Sequence, residues 1–314
     1  MTIGTSLKQR EKVIALLDEA CGRSISLADL EVLIGKLEFM TLPMRLGRSY
    51  MYRMRRALYV AQMQMKSIAS SMPNTMYYVH LNAGSKAEMK WWKSAIIDEC
   101  TSRIDLHIPW PITVEPIEPT SDASEWGFGA YCDGEYISIR WSDSVKQITD
   151  ILSGKRRNMP LCEAIGVAIA VSTWKHMFAG QRVLFHTDCT AVVAGINKGR
   201  ASIGASMWLH SIYAYINELC WCHSIDLRAQ HIKGTNNTLS DLLSRNQVQH
   251  FQSELAARSL TALPAQLQPI SIQPSLHVQP ITFPGALSLA LHHHMQQPGR
   301  ATQHSVSNAT SHLL

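Results

Sequence analysis

TSDASEWGFGAYCDGEYISIRW, residues 120–141, is the stretch whose reading decides the fold. Trp126 to Tyr131 and Tyr136 to Trp141 read as two short strands, turned at Asp133-Gly134, a dipeptide that tolerates the positive φ of a tight hairpin. Ile137, Ile139 and Trp141 alternate onto one face of the second strand. Downstream, SVKQITDILSGKRRN leaves room for a third, edge strand, with Lys155, Arg156 and Arg157 on a solvated end. Pro160 suits the first turn of a helix, and Ile165, Ala168, Ile169, Ser172 and Met177 trace its inward face. Val183 to Thr187 is a short apolar run, read as a central strand ending at Asp188. Residues 189–198 and 203–221 follow as helices, Ile225 to Ile232 as a strand, and Asn237 to Ser244 as the start of a last helix. Strands first, then strands alternating with helices, imply an α/β domain: a mixed sheet flanked by helices.

Upstream the pattern is different. Val13, Leu16, Leu17 and Ala20 recur at helical spacing, as do Leu30, Leu33, Ile34 and Leu37, so residues 1–70 read as a mainly helical region. Ser26 with Asp29 three residues on makes a capping-box-like start for the second helix. Beyond Pro43 a third helix carries Arg45, Arg48, Arg53, Arg55 and Arg56 interleaved with Tyr50 and Tyr52. Such a mixture suits a phosphate backbone and equally suits a solvated helix face. Ser85 is a candidate cap for a short helix bearing Trp91 and Trp92, read as packing anchors. Pro109, Pro111, Pro116 and Pro119 then exclude helix, so residues 71–117 form a linker and connection segment and the α/β domain runs from 118 to 250. From 251 to 314 Leu, Pro, Gln, Ser and His dominate without period, which reads as a disordered tail that includes the tract His292–His294.

Composition is that of an ordinary globular chain: 314 residues at 46% apolar content can bury a sizeable core. A net charge of +5 leans mildly toward a polyanionic partner. Seven cysteines without a CxxC pair fit a reduced compartment, and neither a secretory leader nor an 18-residue apolar run is present, so an intracellular setting, cytoplasmic or nuclear, without membrane contact is expected.

Against this frame four carboxylates stand out: Asp122 in TSDAS, Glu163 in PLCEAIGVA, Asp188 in LFHTDC and Asp241 in HIKGTNNTLSDLLSR. Singly, each has another use. Asp122 suits an Asx turn and Glu163 the positive end of a helix, whereas Asp188 sits where a strand's carboxyl end places sites in α/β sheets. Acids gathered in one place repel one another, so their pKa values are expected to rise until a cation enters.

The stretches TSDASEWGFGAY, LCEAIGVAIAVSTW, VLFHTDCTAVVAGINKG and HIKGTNNTLSDLLSR, in this order over residues 118–246, resemble the ribonuclease H domain of retroelement reverse transcriptases, most closely DIRS-like and Ngaro-like elements. LADLEVLIGKLEFMTLPMRLGRSYMYRMRR and AEMKWWKSAI look like the thumb and connection segments of such enzymes. The resemblance implies a ribonuclease H-like fold with Asp122, Glu163, Asp188 and Asp241 as metal ligands and catalytic residues. Two Mg²⁺ ions are implied, with Mn²⁺ as a substitute, and the reaction is hydrolysis of the RNA strand of an RNA/DNA hybrid. Asp122 and Asp188 are expected between the ions and Glu163 and Asp241 at either side, with Glu163 toward the ribose. Arg45, Arg48, Arg53, Arg55, Arg56, Ser124 and Asn237 are expected to contact the nucleic acid, read through 2′-hydroxyls and phosphates and not through base edges. No YxDD polymerase motif is present, so the partner is the polymerase portion of the same element and the chain reads as the back end of a polyprotein. Cys189 replaces the family's usual Asn, and the short loop from Gly234 to Asn237 lacks the family's mobile histidine; His231 falls on the preceding strand. A catalytically decayed nucleic-acid-binding module is the alternative. A transposase or integrase of the same fold fits less well, because its glutamate follows both strand aspartates.

Overall fold

The computed structural model describes residues 2–3, 5–22, 24–41, 45–67, 73, 76–97, 104–105, 115–149, 158–202, 204–259 and 268–269. The chain is a mixed α/β protein that divides into two compact units, Met1–Glu115 with Lys198–Trp221, and Pro116–Asn197 with Cys222–Leu314.

The first unit begins with β1 (Thr2–Ile3), α1 (Leu7–Gly22), β2 (Ile25–Ser26), α2 (Leu27–Met40) and a 3-10 stretch (Arg45–Met51). It continues through α3 (Tyr52–Ser67), β3 (Tyr78–Val79), α4 (Ala83–Ile97) and β4 (Ile104–Asp105). The apolar faces expected for α1 and α2 are buried: Leu17, Leu30, Leu33 and Leu37 share one core with Met54 and Trp92. Ser26 caps α2 by accepting the Asp29 amide hydrogen at 3.1 Å, as its sequence predicts. The cap of α4 differs from expectation. Asn82 Oδ1 accepts the Ser85 N–H at 2.8 Å, and Ser85 lies buried inside the helix; either residue type satisfies an orphan amide, and the cap sits three residues earlier than expected. Trp92 is fully buried with its indole N–H on the Tyr50 carbonyl, and Trp91 stacks on the Tyr50 ring.

The second unit holds β5 (Thr120–Ala123), β6 (Gly127–Cys132), β7 (Glu135–Arg140), α5 (Asp143–Thr149), α6 (Met159–Thr173), α7 (Lys175–Phe178), β8 (Arg182–Thr187) and α8 (Thr190–Lys198). Next in the chain is α9 (Met207–Cys222), which groups with the first unit through Trp221. The second unit then resumes with β9 (Asp226–His231), a 3-10 turn (Gly234–Asn236), α10 (Thr238–Ser244), α11 (Val248–Ser259) and β10 (Gln268–Pro269). The sheet order is β10-β7-β6-β5-β8-β9. β7, β6 and β5 run antiparallel, whereas β5, β8 and β9 run parallel. The hairpin turns where expected, with φ of 44° at Asp133 and 81° at Gly134.

Alternation along β6 assigns the helices to faces. Gly166 of α6 lies against the Phe128 ring, where an added Cβ would meet the ring at 2.0 Å. Gly129, the next residue, points to the other side, and an added Cβ there would lie 2.3 Å from the Ser244 nitrogen of α10. Helices therefore cover both faces of the antiparallel half, pressed close because the two glycines lack side chains. At the sheet's β9 edge, Asn197 of α8 mimics a neighbouring strand, donating to the Ala229 carbonyl at 2.8 Å and accepting its N–H at 3.0 Å.

Two expectations fail in this unit. The segment read as an edge strand after Trp141 is the helix α5 over residues 143–149, and Lys155, Arg156 and Arg157 lie outside the described residues. Regular structure does not stop near 250. It continues as α11, because Phe251 is fully buried against the rings of Tyr131 and Tyr136. His292–His294 also lies outside the described residues.

Candidate metal centre

Three of the four acids predicted from sequence meet. Asp122 on β5, Glu163 on α6 and Asp188 just past β8 each bring a carboxylate oxygen to within 4.8 Å of the others. β5 and β8 are parallel neighbours, so the carboxyl ends of both strands lie on one edge of the sheet, and the acids on them converge there. Glu163 arrives from the side on a helix whose residues 161–172 are buried all round, so its carboxylate is only 3% exposed.

Each carboxylate is oriented by specific donors. The Ser244 hydroxyl of α10 donates to Asp122 Oδ2 at 2.7 Å. The Ala123 N–H donates to Glu163 Oε1 at 3.1 Å, leaving Oε2 buried and without a partner among the described residues. A buried carboxylate oxygen with no donor is costly unless a proton or a cation takes it. Gly234, in the turn before α10, comes so close that an added Cβ would sit 3.1 Å from Asp188 Oδ2.

The electrostatics agree with the geometry. Burial pushes the Asp122 carboxyl up to about 6, the charges of Asp188 and Asp241 add to the rise, and the Ser244 hydroxyl and Arg245 oppose it. Glu163 is raised well above the ordinary carboxylate range, first by burial and then by the charge of Asp122. Both shifts have the sign expected of acids crowded without a counterion. These three buried or half-buried carboxylates can bind a metal ion, since they offer the hard oxygen donors that divalent cations of the Mg²⁺ and Ca²⁺ kind prefer.

No family model matches this chain, and no curated protein matches it either. Its functional assignment therefore stands on the site itself.

Asp241 is placed differently from the other three. It lies on α10, near enough to act on Asp122, but its Oδ1 is paired with Arg245 Nη2 at 2.8 Å, a link of i to i+4 spacing. Ser124 and Asn237, expected on nucleic acid, are instead buried in the scaffold. Ser124 donates to the Ser244 carbonyl at 2.8 Å and accepts the Trp126 and Gly127 amides, closing the turn between β5 and β6. Asn237 donates to the Ser121 carbonyl at 2.8 Å, tying the start of α10 to β5. His231 is exposed on β9, opposite Thr187 in the register. Cys189 stands at the entry to α8, where its carbonyl accepts the Val192 and Val193 amides and its thiol, raised by burial, faces the amides of Ala191 and Val192. A capping role is what an Asn would also supply there.

The predicted arginines sit in the first unit and do not share one environment. Arg45 opens the 3-10 stretch, and Arg48 donates to the Lys198 carbonyl at 3.5 Å. Arg55 is turned inward, 9% exposed, and paired at 2.7 Å with Glu38, whose side chain is about half exposed, so this guanidinium is engaged within the first unit. Arg53 is half-buried and Arg56 exposed. Sequence reading missed Ser244 and Arg245, although the run SDLLSR places them three and four residues after Asp241, within one helical turn.

Proposed function

We propose that this protein is a metal-dependent endonuclease that cuts the RNA strand of RNA/DNA hybrids, as a portion of a retroelement reverse transcriptase. The observation that carries the reading is the convergence of Asp122, Glu163 and Asp188 at the carboxyl edge of a mixed sheet, with Glu163 Oε2 buried and unpartnered. Asp122, Glu163 and Asp188 would hold Mg²⁺, which supplies an activated water and stabilises the leaving oxygen when bound. The chain's own contribution is orientation: Ser244 fixes the Asp122 carboxylate and the Ala123 amide fixes Glu163. Asp241 is the candidate fourth ligand. Its pair with Arg245 is about half exposed and so worth roughly 0–1 kcal/mol, too little to withhold the carboxylate from a cation.

A second reading, a nucleic-acid-binding module without turnover, is favoured by that same pair, which engages Asp241 in place of a ligand. Purified protein with Mg²⁺ and end-labelled RNA/DNA hybrid, RNA duplex or DNA duplex separates the two. Cutting of only the hybrid's RNA strand, abolished in Asp188→Asn, is the expected result. Tight binding with no cutting favours the module, and DNA strand transfer contradicts both.

A further inference from the structure

A second polar cluster lies wholly within the first unit. The rings of Tyr52 on α3 and His210 on α9 stack with centroids 3.3 Å apart, and both residues are more than nine-tenths buried. The stack holds down the loop before α9. Tyr52 donates its hydroxyl to the Ala205 carbonyl at 3.3 Å, and the His210 Nε2–H is 3.0 Å from the Ser202 carbonyl. Further along the same loop, Ser49 and Asn217 both donate to the Gly199 carbonyl.

Basic groups gather around this platform. Arg56 donates to the Tyr52 hydroxyl at 2.9 Å, and Arg53 lies across Gly84 with its Nη2 at 3.9 Å from Met207 Sδ. Arg200 stands two residues before Ser202, and exposed Lys198 precedes it. Burial, and after it the charges of Arg200, Arg53 and Arg56, push the His210 imidazole down to about 4 against the pull of the Ser202 carbonyl, so it adds no charge of its own. Among the described residues, no carboxylate forms an ion pair with Arg53, Arg56 or Arg200. The acid facing Arg53 is Glu88, whose two oxygens are taken by the Arg53 and Met54 amides; Glu218 is engaged by the Tyr50 hydroxyl. Like charges brought together on a rigid platform without a counterion make a seat for an anion. Arg48 reaches the Lys198 carbonyl at 3.5 Å and so brings two more basic residues into the same unit; five cationic side chains suit a repeating polyanion better than a single small ion.

We propose that Arg53, Arg56 and Arg200, set around the Tyr52–His210 stack, form a phosphate seat for the backbone of a nucleic acid. This deepens the nucleic-acid half of the proposed function and does not depend on the cleavage chemistry. The test is binding of a short labelled RNA/DNA hybrid and of a DNA duplex, followed by fluorescence anisotropy over a salt series with EDTA present, so that no cutting enters. Arg200→Ala and Arg56→Ala are each expected to weaken binding several-fold for every sequence tried and to lower the slope of log K against log salt by about 1. Arg200→Lys, which keeps the charge, is expected to retain most of the affinity. Thermal melts identify any variant that fails to fold, and Arg200→Ala, altered in a loop, is the deciding one. Unchanged affinity and slope in a folded Arg200→Ala overturn the proposal. So does inorganic phosphate that raises the melting temperature of the wild type alone while nucleic-acid binding is the same in both, since the seat would then serve a small anion. Failure of hybrid cleavage, with these binding results intact, would sink the nuclease reading and leave the seat standing.

Discussion

Two buried glutamates, one in each unit, show how the same side chain serves structure in one place and offers chemistry in another. Glu88 is 4% exposed and Glu163 is 3% exposed. Glu88 spends both oxygens on the amides of Arg53 and Met54 at the start of α3, acting as a helix cap supplied from α4. Glu163 spends one oxygen on the Ala123 amide, leaves the other without a donor among the described residues, and shares its surroundings with two more acids. Burial alone does not tell them apart. What does is whether the carboxylate's hydrogen-bonding capacity is filled by the protein or left for something else.

Catalysis is where the contrast should be largest. Glu163→Gln is expected to lower cleavage of a hybrid by more than about 100-fold, since loss of groups that merely support metal ligands already costs 10–100-fold. Glu88→Gln should leave kcat within about twofold. Equal losses in single-turnover assays of the two variants would erase the distinction.

Stability against pH comes next. Asp122, raised from 3.8 to about 6, and Glu88, raised from 4.5 to about 7, are both groups whose neutral form the fold favours. Their stabilising contribution is therefore complete below the unfolded value and is lost as pH rises through the folded one. For Asp122 that loss is on the order of 3 kcal/mol, spread between about pH 4 and 6. A bound divalent cation lowers the Asp122 value and should remove this loss, while the Glu88 loss, which extends to about pH 7, remains. Urea denaturation across this range, with EDTA or with Mg²⁺, measures both; curves unaffected by metal would contradict the assignment.

Truncation separates the pair by sign. Glu88→Ala leaves two amides of α3 without their acceptor and should lower stability by about 2 kcal/mol. Glu163→Gln removes a charge held among like charges and should raise the stability of the metal-free protein above neutral pH by about 1 kcal/mol. The smallest expected effect is at Ser244. Ser244→Ala removes the hydroxyl on Asp122 Oδ2, costs about 1 kcal/mol, and moves the Asp122 transition in the stability curve to higher pH.

Much of the α/β unit was legible in the sequence because its signals are local. The Asp133-Gly134 turn needs positive φ, Val183 to Thr187 is an apolar run of strand length, and Pro160 sits where a helix's first turn accepts it. The convergence of Asp122, Glu163 and Asp188 was legible through the family resemblance of the stretches that carry them and not from local pattern alone, since β5, which holds Asp122, was not read as a strand from its own residues. What was hidden depends on tertiary partners. Helix α5 and the edge strand expected in its place are both short polar choices between which periodicity does not decide. Helix α11 is held by Phe251 against two tyrosines, a contact no local pattern announces. Arg55 resembles its neighbours in sequence, yet a single helical step turns it inward onto Glu38. Ser124 and Asn237 show the same limit, since small polar residues near an acid site are read as ligand contacts until the carbonyls they bond are known.

The central claim is that the three carboxylates form a divalent-cation site, and titration calorimetry of metal-free protein with Mg²⁺ at pH 6 tests it most directly. The expected result is saturable binding with proton release, read from heats that vary with the buffer's ionisation enthalpy, and its loss in Glu163→Gln. Absence of saturable binding in the folded wild type, or identical binding in Glu163→Gln, would contradict it.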